Sequence, residues 1–122
     1  MKSKFIAIIT SMFLSTNAVS ADEWTDGQTN KAIALALLTA ADWGQTRNIA
    51  RNPSRWHETN PMLGEHPSVS KVDSHFIMSS VVGAVVLHSL PSKYRDWALN
   101  AGIMIEAGCV ANNFNLGIGV KF

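Results

Sequence analysis

The chain carries one cysteine, Cys109, in 122 residues. A single thiol excludes an intrachain disulfide and a paired-cysteine zinc site. Charge is scarce too: 16% of the residues are Asp, Glu, Lys or Arg, against about 25% in an average soluble domain. The net charge is +1, and the basic residues do not line one helix with aromatics between them. Nucleic acid is therefore not an expected partner. The sequence has no P-loop, no paired-glycine dinucleotide fingerprint and no internal repeat, so no cofactor is implied. His57-Glu58-Thr59-Asn60-Pro61 stops short of the two-histidine metalloprotease helix, because Pro61 stands where the second histidine is needed. No metal site is expected.

What is present is apolar: 47% of the residues are hydrophobic. Residues 1–21 have the three parts of a secretory signal. Lys2 and Lys4 give the positive end, Phe5 to Leu14 a short apolar run, and Val19-Ser20-Ala21 the small-residue cleavage pattern. The expected mature chain starts at Asp22 and is a single domain over 22–122.

Three helices are predicted in that domain, over about 29–50, 70–90 and 93–113, with a central loop over 51–69. Alanine and leucine dominate the first, which Thr29 or Asn30 is expected to cap and Asn52-Pro53 to stop. The valine-rich second run is too long for a strand, and length decides for helix. The tail alternates Leu116, Ile118, Val120 and Phe122 as a barrel strand does, but one such strand makes no barrel. The fold class expected is all-α: a small bundle, transmembrane, following a cleaved signal peptide.

Small residues in the later helices, Gly83, Ala84, Gly102 and Gly108, suit close helix approach in lipid. Arg47, Arg51, Arg55 and Lys71 flank or lie in the central loop, which the positive-inside rule then places in the cytoplasm. Trp24, Trp43, Trp56 and Trp97 sit at helix ends or in the loop, where an interfacial aromatic belt lies. The expected location is the bacterial inner membrane with an exported N-terminus, and the lipid bilayer is the expected partner. The alternative is a soluble periplasmic binding or inhibitor module, since each apolar run is short and interrupted.

Polar residues on these apolar helices are the candidates for function. Asp42, Gln45 and Thr46 fall at i, i+3 and i+4, one helix face. Gly102, Glu106, Cys109 and Asn113 form a second polar stripe. Glu58 and Asn60 belong to the central loop, where Asn60 precedes a proline and bonds nearby backbone. A carboxylate inside a membrane needs a partner. For Glu106 the candidates are Gln45, Thr46, His75, His88 or a loop arginine. His75, near the start of its helix, is the expected site member, and His88 an interfacial side chain. The candidate cluster is thus Asp42, Gln45, Thr46, Glu58, Asn60, His75 and Glu106, with no catalytic role fixed.

The string from Asp42 to Ser68 resembles a group of uncharacterised small helical membrane proteins of bacteria and their phages, in which an Asp-x-x-x-Thr helix precedes a Glu-x-Asn-Pro loop. Asp42, Thr46, Glu58, Asn60 and Pro61 carry the likeness. It implies a membrane location and no activity. The expected function is a small exported envelope protein that binds a membrane or envelope component, which includes a possible protein partner. An alternative is a membrane-embedded hydrolase or transferase using Asp42, Glu58, His75 and Glu106, provided they converge on one accessible pocket.

Overall fold

The computed structural model of the chain describes residues 22–122. The expected signal segment and its cleavage point after Ala21 lie outside the described residues. Among those described there are three helices and no strand: α1 (Asp26–Arg51), α2 (Val69–Ser89) and α3 (Ser92–Asn115). The fold is a small all-α bundle.

Each helix starts and ends for an identifiable reason. The α1 cap is Thr25, not Thr29 or Asn30. Thr25 Oγ1 accepts from the Gln28 amide at 3.1 Å, and the Thr25 amide donates to Gln28 Oε1 at 3.3 Å. This reciprocal capping box satisfies two otherwise orphaned groups, and it draws the acidic stretch before Thr29 into the helix. Ser68 caps α2 by accepting from the Lys71 amide. Pro91 precedes α3 and supplies no side-chain cap. Asp22, distant in sequence, accepts from the Ser92 amide at 2.8 Å instead, a negative group at the positive end of the helix dipole.

At its C-terminus α3 ends in a Schellman motif. Gly117, at φ 83°, occupies the left-handed position that a side chain would strain. Its amide bonds Phe114 O, and the Ile118 amide bonds Asn113 O. The tail then runs across α1, with the Lys121 amide on Gly44 O and Asn48 Nδ2 on Gly119 O. The alternating apolar tail is therefore no strand. Ile118 is buried and anchors it, while Leu116 and Phe122 are exposed.

The central loop folds back onto the bundle. Leu63 packs with Val72 and Phe76 in a core joined by Trp43 and Ala50. Trp43 stacks on Phe76 with ring centroids 5.9 Å apart. Asp73 fastens α2 to α1, accepting from Trp43 Nε1 at 2.8 Å and from Arg47 at 2.6 Å.

Beside the apolar core of Ile49, Leu63, Val72, Phe76, Leu99, Val110 and Ile118, the bundle buries polar side chains and exposes many large apolar ones. Gln28, Gln45, Thr46, Asn48 and Arg95 are buried, whereas Ile33, Leu37, Ile77, Val86, Trp97 and Met104 are exposed. Helix α2 is the one helix among the described residues long and apolar enough to cross a membrane, and 11% of that apolar stretch is buried. From Ile77 to its end it buries no residue.

Candidate functional site

Helix α1 packs on both other helices, and most extensively on α3. By contrast α2 and α3 make little contact with each other despite the tight turn that joins them. The gap is a cleft of about 1050 Å³ lined by all three helices and the loop. One end lies by Trp24, Leu87 and His88, the other by Glu58, Asn60, Pro61 and His75. Its length is apolar, with Leu35, Ala36, Phe76, Gly83, Ala84 and Ile105 along it.

The polar end gathers most of the residues singled out in the sequence. Asp42, Thr46, Glu58, Asn60, His75 and Glu106 all line this one cleft, and Cys109 and Asn113 join them. Gln45 does not. It is fully buried on the other side of α1, where Nε2 donates to Val110 O and Ile118 O and Oε1 accepts from Asn113 Nδ2. Residues at i+3 and i+4 flank position i on opposite sides, about 100° apart from each other on the helix. Thr46 stays with Asp42 while Gln45 turns to the tail.

Two acids from different helices, Asp42 on α1 and Glu106 on α3, line this end of the cleft together. Thr46 Oγ1 donates to the backbone oxygen of Asp42 at 2.8 Å and lies 3.4 Å from its carboxylate. Glu106 Oε2 is buried with no hydrogen-bond partner. Of the candidate partners for Glu106, no loop arginine bonds it among the described residues. Arg47 binds Asp73, Arg51 binds Phe122 O, and Arg55 lies 4.5 Å from the Trp56 ring. Gly102 on α3 lets α1 approach closely, since a Cβ there would meet the Leu35 side chain at 3.2 Å.

The loop presents its groups through its own turn. Glu58 Oε1 accepts from the Thr59 and Asn60 amides, and Asn60 Oδ1 accepts from the Met62 amide at 3.0 Å. Asn60 Nδ2 is then 3.5 Å from His75 Nε2, which links loop to α2. His88 lines the opposite end of the cleft, away from the acids. Among the described residues no group of three His, Cys, Asp or Glu side chains is arranged to hold a metal ion.

Sequence reasoning missed Ser79, Ser80 and Asn112 in the lining. Spacing gave a signal for Ser79, one turn after His75. It also missed the buried Arg95. Arg95 Nε donates to Leu87 O at 2.8 Å, its terminal nitrogens reach Leu90 O, His88 O, Glu23 O and Gln28 Oε1, and its guanidinium lies 4.7 Å from the Trp24 ring. It saturates the free carbonyls at the end of α2.

Comparison with known protein families, with curated proteins and with solved structures finds no match for this chain.

Proposed function

We propose that the chain is a small integral membrane protein that binds an amphipathic membrane component in the cleft. The observation that carries this reading is α2. It is the most apolar helix and buries least against its own chain, which is costly in water and natural in hydrocarbon. A helix of 21 residues is about 31 Å long at about 1.5 Å per residue, close to the roughly 30 Å hydrocarbon thickness of a bilayer. Helices α1 and α3 cross beside it with their polar groups turned inward, as charged groups at that depth require. The bound component lays its apolar part along Leu35, Phe76 and Gly83 and its polar part among Asp42, Glu58, Asn60, His75 and Glu106.

Alkaline carbonate extraction of membranes from expressing cells tests the location. The chain is expected in the pellet; release into the wash would support the soluble periplasmic module. With Arg51, Arg55, Lys71 and Lys121 at the loop end, that end faces the cytoplasm of the inner membrane. A cysteine at the exposed Ser54, in a Cys109→Ala background, is expected to resist a membrane-impermeant thiol reagent in intact cells, and rapid labelling would reverse the orientation.

One observation favours a second reading. Asp42, Glu58, His75 and Glu106 do converge on one accessible cleft, as a hydrolase or transferase would require. Carboxyl groups and an imidazole in one cleft are the side-chain types that serve as general acid and base. Turnover of a lipid-linked ester or amide that disappears in Asp42→Asn would put the enzyme first; ligand binding without turnover keeps the binding reading.

A further inference from the structure

The gap between α2 and α3 has the proportions of a helix. From Ile77 to its end α2 buries no residue, and a Cβ on Gly83, which lines the cleft, would meet nothing within 4 Å. The chain enters the described fold at the mouth of this gap. The Ser92 amide donates to Asp22 at 2.8 Å, Arg95 donates to Glu23 O, and Trp24 lines the cleft. Residues before Asp22 therefore start beside the cleft, at the end where Leu87 and His88 lie. Residues 1–21 also match the gap in length and chemistry. Phe5 to Ala21 carry no charged side chain, and as a helix they span about 26 Å at about 1.5 Å per residue. Glu106 is fourteen residues along from Ser92, and Ile8 is fourteen back from Asp22. Cys109 and Phe5 are each seventeen away. Lys4 and Lys2 then fall just beyond, at the end lined by Asp42, Glu58 and Glu106, where no lysine or arginine among the described residues lines the cleft.

We propose that residues 1–21 of the uncut chain lie in this cleft as a helix between α2 and α3, with Lys2 and Lys4 against the carboxylates at the loop end. Three independent matches support the seating. The attachment point is at the cleft mouth, the uncharged stretch has the length of the cleft, and the terminal lysines carry the sign that the far end lacks. A carboxylate at membrane depth needs such a partner. The direction also agrees with the charge rule for membrane orientation, since Lys2 and Lys4 join Arg51, Arg55 and Lys71 on the same side. This goes beyond the binding reading and does not rest on it. The segment and a membrane component share one site, so cutting after Ala21 opens the cleft to the component.

The test uses the full chain in membranes, with Ala21→Leu to block a cut that needs a small residue at that position. Cys109 is exposed and lines the cleft, so it serves as the native partner thiol. Phe5→Cys, Ile6→Cys and Ala7→Cys, made singly, step through most of a helical turn at its level. Mild oxidation is expected to join at least one of them to Cys109 within a single chain, in more than half of the molecules. A non-reducing gel and the mass of the linked peptides read the result. Ser20→Cys, at the opposite mouth, is expected to give no link. The three substitutions face different sides of the segment, so if one variant fails to accumulate the others decide. Equal linkage from Ser20→Cys would mean an unseated segment and would overturn the proposal. Disulfides found only between two chains overturn it as well and put a second copy in the cleft. If the variants stay in alkaline-washed membranes and none links to Cys109, the seating falls and the cleft-binding reading stands.

Discussion

Arg95 at one end of the bundle and the Asp42–Glu106 pair toward the other are both ionisable groups on mostly apolar helices, and their surroundings treat them differently. Arg95 is fully buried, and the chain itself supplies its acceptors: the carbonyls of Leu87, His88, Leu90 and Glu23, the amide oxygen of Gln28 and the face of Trp24. Nothing is left for a ligand to satisfy. Asp42 and Glu106 line an open cleft with one threonine beside Asp42, and Glu106 Oε2 has no partner. A saturated buried charge holds a fold together, whereas an unsaturated one beside a cavity is available to something from outside.

The largest expected effect breaks the saturated end. Arg95→Leu strands several buried carbonyls at once, and each unmet group costs about 1–3 kcal/mol. Thermal unfolding in detergent is expected to show a loss of about 3 kcal/mol or more, or no accumulation of folded protein. Arg95→Lys is expected to recover little of it, because a point ammonium cannot reach acceptors spread around a planar fork. A parent-like melting temperature in Arg95→Leu would mean that the network contributes no net stability.

A smaller loss is expected where the tail crosses α1. A Cβ on Gly44 would meet the Val120 and Phe122 side chains, the latter at 2.9 Å, and the Lys121 amide at 3.3 Å. Gly44→Ala must therefore lift the tail, and forced overpacking costs about 1–3 kcal/mol. Limited proteolysis is expected to cut the last residues faster in this variant than in the parent. An unchanged digestion pattern would show that the tail is not held by this crossing.

The unsaturated end is expected to behave the other way. Glu106→Gln keeps the shape of the side chain and can donate as well as accept, so its stability is expected to change by less than about 1 kcal/mol while ligand binding is lost. Glu106→Leu leaves Asp42 without a side-chain partner other than Thr46 and is expected to be the less stable of the two. If Glu106→Gln unfolds the chain as readily as Arg95→Leu, the two ends are alike and the pair is structural.

The smallest effect belongs to the partly exposed Lys31–Asp96 ion pair, whose side chains are 34% and 47% exposed. Lys31→Ala is expected to shift stability by no more than about 1 kcal/mol, with most of any shift removed by salt.

The sequence alone determined the helices. Length and alanine and leucine content identify α1, a valine-rich run too long for a strand identifies α2, and Pro53 and Pro91 limit the chain's regular structure. It also placed Glu106, Cys109 and Asn113 on one stripe, because helical spacing is a local property. Boundaries moved where the decisive group was a side chain reaching back to backbone, as Gln28 does to Thr25. Tertiary structure decided the rest. It brought Glu106 to the same cleft as Asp42 with no arginine beside it, Arg47 bonding Asp73 and Arg51 the tail. It also turned Gln45 away from the acids and surrounded Arg95 with acceptors from two separate stretches of chain, 87–90 and 23–28. Periodicity fixes which face of a helix a residue occupies, but the choice of partner depends on which elements approach that face and which groups they have left unpaired.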